Sequence, residues 1–166
     1  MIAALVVAMM SVIGGCLSPP VQAPVSVPFR APACRYCAGH RGLEYVTSPG
    51  TPVTAVAAGT VTFAGRVAGT GYVVVRQPDG LAATYGFVTA LVVHEGQWVQ
   101  SGQIVAHSTG RLYFGWRRGA MAVDPTPSLA QWRAAARLVP RDGTARRPVA
   151  THLLCPASVA TGRSAR

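Results

Sequence analysis

The sequence predicts an all-β chain, and three observations carry that prediction. Gly (18) and Pro (13) are plentiful among 166 residues while aromatics make up only 7%, a balance that suits short strands joined by tight turns. Val53-Thr54-Ala55-Val56-Ala57 and Thr60-Val61-Thr62-Phe63-Ala64 alternate on either side of Gly59, as half-buried strands do. Gln77-Pro78-Asp79-Gly80 is a turn with a mechanism: Pro presets φ, and Asp-Gly tolerates the positive φ of a hairpin.

The length allows one compact domain with flanking segments and is too short for two. Residues 1–15 are uncharged and apolar, short for a membrane span and right for the core of a secretory signal. Ile13-Gly14-Gly15-Cys16 resembles a lipoprotein cleavage box that would lipidate Cys16, while Val21-Gln22-Ala23 offers ordinary cleavage. Either way, residues 1–23 are expected to export the chain. Residues 24–37 read as a Pro-rich linker ending in Cys-x-x-Cys, and residues 38–129 as the β domain. Within it, Tyr72-Val73-Val74-Val75 is a β-branched run expected to be a central strand covered on both faces. Residues 81–85 run back from the turn, and residues 93–105 carry Gly96 and Gly102 six apart. Strands over 111–116 and 121–123 meet at Arg118-Gly119. Ser128 is expected to cap a short C-terminal helix over 130–139, with Leu129, Trp132, Ala136 and Val139 on one face and Pro140 as its stop. Residues 140–166, rich in Arg, Pro and small residues, read as a mobile tail.

Fifteen basic residues against five acidic ones give a formal charge of +10. Every basic residue is Arg, which fits GC-rich coding. The arginines (Arg30, Arg66, Arg76, Arg117, Arg118, Arg133, Arg137, Arg146, Arg147) are scattered and not interleaved with stacking aromatics, so nucleic acid is not an expected partner. Anionic wall polymer or lipid headgroups fit the charge better. If Cys16 is lipidated or removed, Cys34, Cys37 and Cys155 remain, which allows one disulfide at most within the chain. A zinc knuckle would need a second cysteine pair. Cys34 and Cys37 are preferred as a loop staple, with a bond from one of them to Cys155 as the alternative.

Gly39-His40-Arg41-Gly42-Leu43-Glu44, then Pro49-Gly50-Thr51-Pro52-Val53 and Gly59-Thr60-Val61, resemble the opening of an M23 (LytM, lysostaphin-type) peptidase domain. Tyr72 to Val75, Thr84-Tyr85, the double-glycine segment, Leu112 to Phe114 and Val123-Asp124-Pro125 fall in the family's later positions, in order. The resemblance covers residues 38–129. It implies a duplicated-hybrid-motif-like antiparallel sheet in an exported, actinobacterial envelope protein. In that family the domain holds one zinc ion and cuts the peptide cross-links of peptidoglycan.

Carried over residue by residue, the resemblance puts His40 at the first ligand position and Glu44 where Asp is usual. Tyr113 stands at the third ligand position, normally His. Phe87 and Arg111 stand where catalytic histidines are expected, and the loop between Val105 and Arg111 is several residues short. The expectation is a pseudoenzyme with no cofactor and a vestigial His40/Glu44 pair. Its groove, lined by Tyr85, Tyr113 and Trp116, would bind peptidoglycan or engage and regulate cell-wall hydrolases. Contact with a membrane would come only through Cys16. The alternative is a zinc metalloendopeptidase with a rearranged site using His40, Glu44 and a third ligand. His94, His107 and His152 read as surface or hydrogen-bonded histidines. A lipoyl- or biotinyl-type carrier is closed off, because the chain has no lysine to modify.

Overall fold

One strand organises the molecule. The structure, a computed structural model, describes residues 16–34, 36–134 and 151–156. In it β8 (Ile104–Arg118) is 15 residues long and is paired along both edges. One edge receives three strands in succession: β3 (Pro52–Thr54) opposite residues 104–107, β2 (Leu43–Val46) opposite 111–114, and β9 (Met121–Val123) opposite 116–118. The other edge receives β6 (Leu81–Thr89). The sheet continues through β5 (Thr70–Arg76) and β4 (Gly59–Val67) to the short β7 (Trp98–Val99). All these pairs are antiparallel, and no helix is present among the described residues.

The core is made by strand alternation. Leu112, Phe114 and Trp116 of β8, Tyr85 and Val88 of β6, Val73 and Val75 of β5 and Val61 of β4 all face it. Because β5 buries only alternate residues, the expectation that it is covered on both faces is corrected: its β-branched run packs on one side. The Gln77–Gly80 turn forms as its chemistry requires. Gly80 takes φ +85°, its N–H donates to Gln77 O at 3.0 Å, and Asp79 Oδ1 accepts from Leu81 N–H. The double-glycine segment makes the same turn twice. The side-chain carbonyl of Gln97 accepts from His94 N–H, and that of Gln103 accepts from Gln100 N–H. Gly96 and Gly102, both at positive φ, donate to Val61 O and Ala55 O.

The flanks differ from expectation. The Pro-rich segment is no free linker: β1 (Val25–Val27) pairs with β2, and Arg30 bridges His40. Residues 1–15 of the expected export signal lie outside the described residues, but the rest of it is folded in, with Val21 in the core and Leu17 bridged to Leu129. The described part of the expected helix is instead a strand. Leu17 N–H donates to Ser128 O and Ala130 N–H to Leu17 O, which holds the chain extended there. β10 (Gln131–Ala134) then pairs with β11 (Thr151–Leu154), so inter-strand partners replace the intrahelical ones. The remainder of that helix, and most of the expected tail, lie outside the described residues. Disulfides join Cys34 to Cys37 and Cys16 to Cys155. A sulfur in a disulfide cannot also carry a lipid thioether, so the Cys16–Cys155 bond and lipidation of Cys16 are alternatives.

Candidate functional site

Four strands contribute one residue each to a row across the sheet. Glu44 on β2 faces Tyr113 on β8, Tyr113 faces Gly86 on β6, and Gly86 faces Tyr72 on β5. The row lies on the face opposite the core, since Leu112, Phe114 and Trp116 supply the buried positions of this part of β8. Glycines let the two tyrosine rings lie down on the sheet. A Cβ on Gly86 would stand 2.8 Å from Tyr72 Cε1, and one on Gly115 would stand 2.6 Å from Tyr113 Oη. At Gly42 a Cβ would meet Tyr113 Cε2 at 2.7 Å and Phe114 O at 2.5 Å.

His40 reaches this row from the loop before β2. Its backbone is pinned by reciprocal hydrogen bonds with Arg30, at 2.8 and 2.9 Å. Its Nδ1 lies 3.1 Å from Pro28 O. A carbonyl only accepts, so Nδ1 is the donor in this contact. Nε2 lies 3.2 Å from Glu44 Oε1, and the ring meets Tyr113 edge-on with centroids 6.1 Å apart. Tyr113 donates its hydroxyl to Arg41 O at 3.1 Å. Burial pushes its phenol pKa up. Arg117 and Arg41 oppose that shift, while Glu44 and Tyr72 add to it. Tyr113 is therefore a neutral donor at neutral pH.

A catalytic zinc ion needs three protein ligands and an open position. His40 and Glu44, which the resemblance sets at two ligand positions, lie 3.2 Å apart, with the imidazole steered by the Pro28 carbonyl from behind. The third does not fit: the Tyr113 proton is committed to Arg41 O, and its ring fills the space above Gly42 and Gly115. No group of three His, Cys, Asp or Glu residues suited to a metal occurs among the described residues. His107 Nδ1 is 3.5 Å from Ala90 O, and His94 Nδ1 is 3.0 Å from Glu95 O. The row of Glu44 and Tyr113 includes neither of them. The side chain of His152 lies outside the described residues.

Arg111 and Phe87 stand together beside the row, with the guanidinium carbon 3.5 Å from the ring centre. Tyr85 and Trp116, expected to line the groove, are core residues, 0% and 3% exposed. Trp116 is three residues from Tyr113, and Tyr85 is one from Gly86, so in an extended strand each points to the opposite face. Tyr85 packs on Phe114 at 5.3 Å, and its hydroxyl accepts from Val56 N–H at 2.9 Å. The residues around the row not singled out from the sequence are Tyr72, the Arg41 carbonyl, Arg117 and Pro28. Strand parity would have found Tyr72 and Arg117. No local signal marks Pro28.

A profile of peptidase family M23 matches residues 38–125. The chain is 35% identical over 111 residues to the DD-carboxypeptidase/endopeptidase Mpg of Neisseria meningitidis serogroup B, covering 58% of this chain and 26% of that protein. It is 36% identical over 94 residues to the lipoprotein NlpD/LppB homolog of Pseudomonas aeruginosa, covering 52% of this chain and 32% of that one. The structure of Helicobacter pylori Csd3 matches with a TM-score of 0.60 at 27% identity, over 76% of this chain and 38% of that chain. The chain thus spans well under half the length of each. Fold, motif order and profile agree: the chain belongs to peptidase family M23.

Proposed function

We propose that this protein is a non-catalytic M23 domain of the bacterial envelope. It binds peptidoglycan, or a cell-wall hydrolase acting on it, through the groove above the Glu44–Tyr113–Gly86–Tyr72 row. The observation that carries the reading is Tyr113, whose hydroxyl is donated to Arg41 O at the third ligand position. Arg111 and Phe87, which the resemblance sets where catalytic histidines are expected, are stacked on each other. Neither side chain can accept a proton from a nucleophilic water at neutral pH. The names of the relatives support an envelope setting, one being a DD-carboxypeptidase/endopeptidase and the other a lipoprotein. Two disulfides suit an oxidising compartment.

The test is a pull-down of the protein on purified peptidoglycan, with zinc content and muropeptide release measured on the same sample. Binding without zinc or release is expected. A second reading, a zinc endopeptidase, draws on the half-site geometry of His40 and Glu44. Near-stoichiometric zinc with chelator-sensitive release would establish that reading and sink the first.

A further inference from the structure

The groove face is rich in positive charge that the described chain does not neutralise. Along β8 the positions facing away from the core are Arg111, Tyr113, Gly115 and Arg117. Glu44 is the acidic group of this row and it faces His40, while Asp79 pairs with Arg118 at 3.4 Å and Asp124 Oδ1 accepts from Thr126 N–H, both away from the row. Glu95 lies in an exposed turn before β7. Within the described residues the Arg111 side chain has the Phe87 ring as its partner and donates no hydrogen bond.

Phe87 is placed there by an irregularity. Tyr85 and Val88 are both buried although three residues apart, which a regular strand forbids. Between the pairs Gly86–Tyr113 and Val88–Ser108, residues 109–112 of β8 stand against Phe87 alone. Phe87 absorbs the mismatch with φ +60°, a conformation rare outside glycine. The result turns the ring out of the core and beneath Arg111. Stacking covers the flat face of the guanidinium and restrains a long side chain, while its N–H edge stays open. That edge matches the two oxygens of a carboxylate.

We infer that Arg111, seated on Phe87, is a carboxylate seat in the groove, and that with Arg117 it selects a carboxylate-bearing peptide of the wall. This rests on the groove being the binding surface. The experiment compares binding to purified peptidoglycan, acid-extracted to strip phosphate polymers, before and after its carboxylates are amidated with carbodiimide and methylamine. Amidation is expected to weaken wild-type binding about tenfold, the scale of one charge-assisted pair. Arg111→Gln is expected to weaken binding to the native wall by a similar factor and to lose sensitivity to amidation. Arg111→Lys, which keeps the charge without the fork, recovers only part. Arg111 is exposed, and equal melting temperatures verify that these variants fold. Equal wild-type binding to both walls, or an Arg111→Gln protein that still discriminates, overturns the carboxylate seat and leaves the groove reading standing. Wild-type protein that binds neither wall overturns the carboxylate seat and the peptidoglycan arm of the groove reading together.

Discussion

The hydroxyl of Tyr113 and the backbone carbonyl of Arg41 are joined by a 3.1 Å hydrogen bond, so β8 is strutted to the loop that carries His40. Tyr113, which the resemblance sets at the third ligand position, acts here as a structural brace. Tyr113→His removes the brace and faces an imidazole toward Glu44 in the same row. We expect this variant to bind zinc at least about tenfold more tightly than wild type, since it supplies the missing third donor. Competition against a chromophoric chelator measures the difference. Tight, near-stoichiometric zinc in the wild type would refute this view of the site.

The ring of Tyr113 depends on the absence of a side chain at Gly115, where the three nearest atoms to an added Cβ all belong to Tyr113. Gly115→Ala is expected to cost about 1–3 kcal/mol through overpacking. In a Tyr113→Ala background most of that cost should vanish, giving a coupling of about 1–2 kcal/mol in a urea-unfolding double-mutant cycle. Gly42→Ala is the control. Its Cβ would also meet Phe114 O at 2.5 Å, so truncating Tyr113 does not relieve it. Additive Gly115 and Tyr113 effects would show that the ring sits elsewhere in solution.

The features legible in the sequence are those whose cause is local. The Pro78-Asp79-Gly80 turn and the paired Gly96 and Gly102 turns follow from backbone freedom within a few residues. Strand alternation marks β3 and β4 in the same way, whereas the unbroken β-branched run of β5 concealed that it buries one face. What escaped is non-local. Nothing near Pro28 announces that its carbonyl holds His40, because the contact depends on the Arg30–His40 bridge closing a loop. Ser128 is a fair helix cap by itself, and it is overridden by pairing to Leu17 and to β11. Parity explains the rest. Tyr113 and Trp116 cannot share a face of one strand, and only the bulge at Phe87, invisible in the residue types, turns that ring outward.

Tyr45 and Tyr85 make the fold sensitive to alkali. Burial raises both phenol pKa values well above their ordinary value of 10.0, and Tyr113 shifts the same way. The folded state keeps protons that the unfolded chain releases above about pH 10. Stability is therefore full below that pH and falls as pH rises beyond it, by about 1.4 kcal/mol per unit for each such group. Urea midpoints should be flat through neutral pH and drop steeply at high pH. Tyr85→Phe should start about 1–2 kcal/mol lower, since it orphans the buried Val56 N–H, and should then fall with a shallower slope. A wild type whose stability is unchanged past pH 11 would contradict the burial of these phenols.

The two disulfides differ in what they hold. Cys16–Cys155 closes a sequence separation of 139 and ties the segment before β1 to the β10–β11 hairpin, whereas Cys34–Cys37 spans a separation of 3. A crosslink over a long loop restricts the unfolded chain more, so the Cys16→Ser/Cys155→Ser double variant should lose about 3–5 kcal/mol and Cys34→Ser/Cys37→Ser much less. Peptide mapping of the oxidised protein without reductant should recover both crosslinked pairs and no alkylated cysteine. If Cys16 instead carries a lipid in the exported protein, the 16–155 pair is missing and Cys155 alone takes up iodoacetamide. The first outcome makes the N-terminal segment a clasp that supports Leu17 and Val21 against the core. The second would detach that segment from the fold and return Cys16 to the role of a membrane tether.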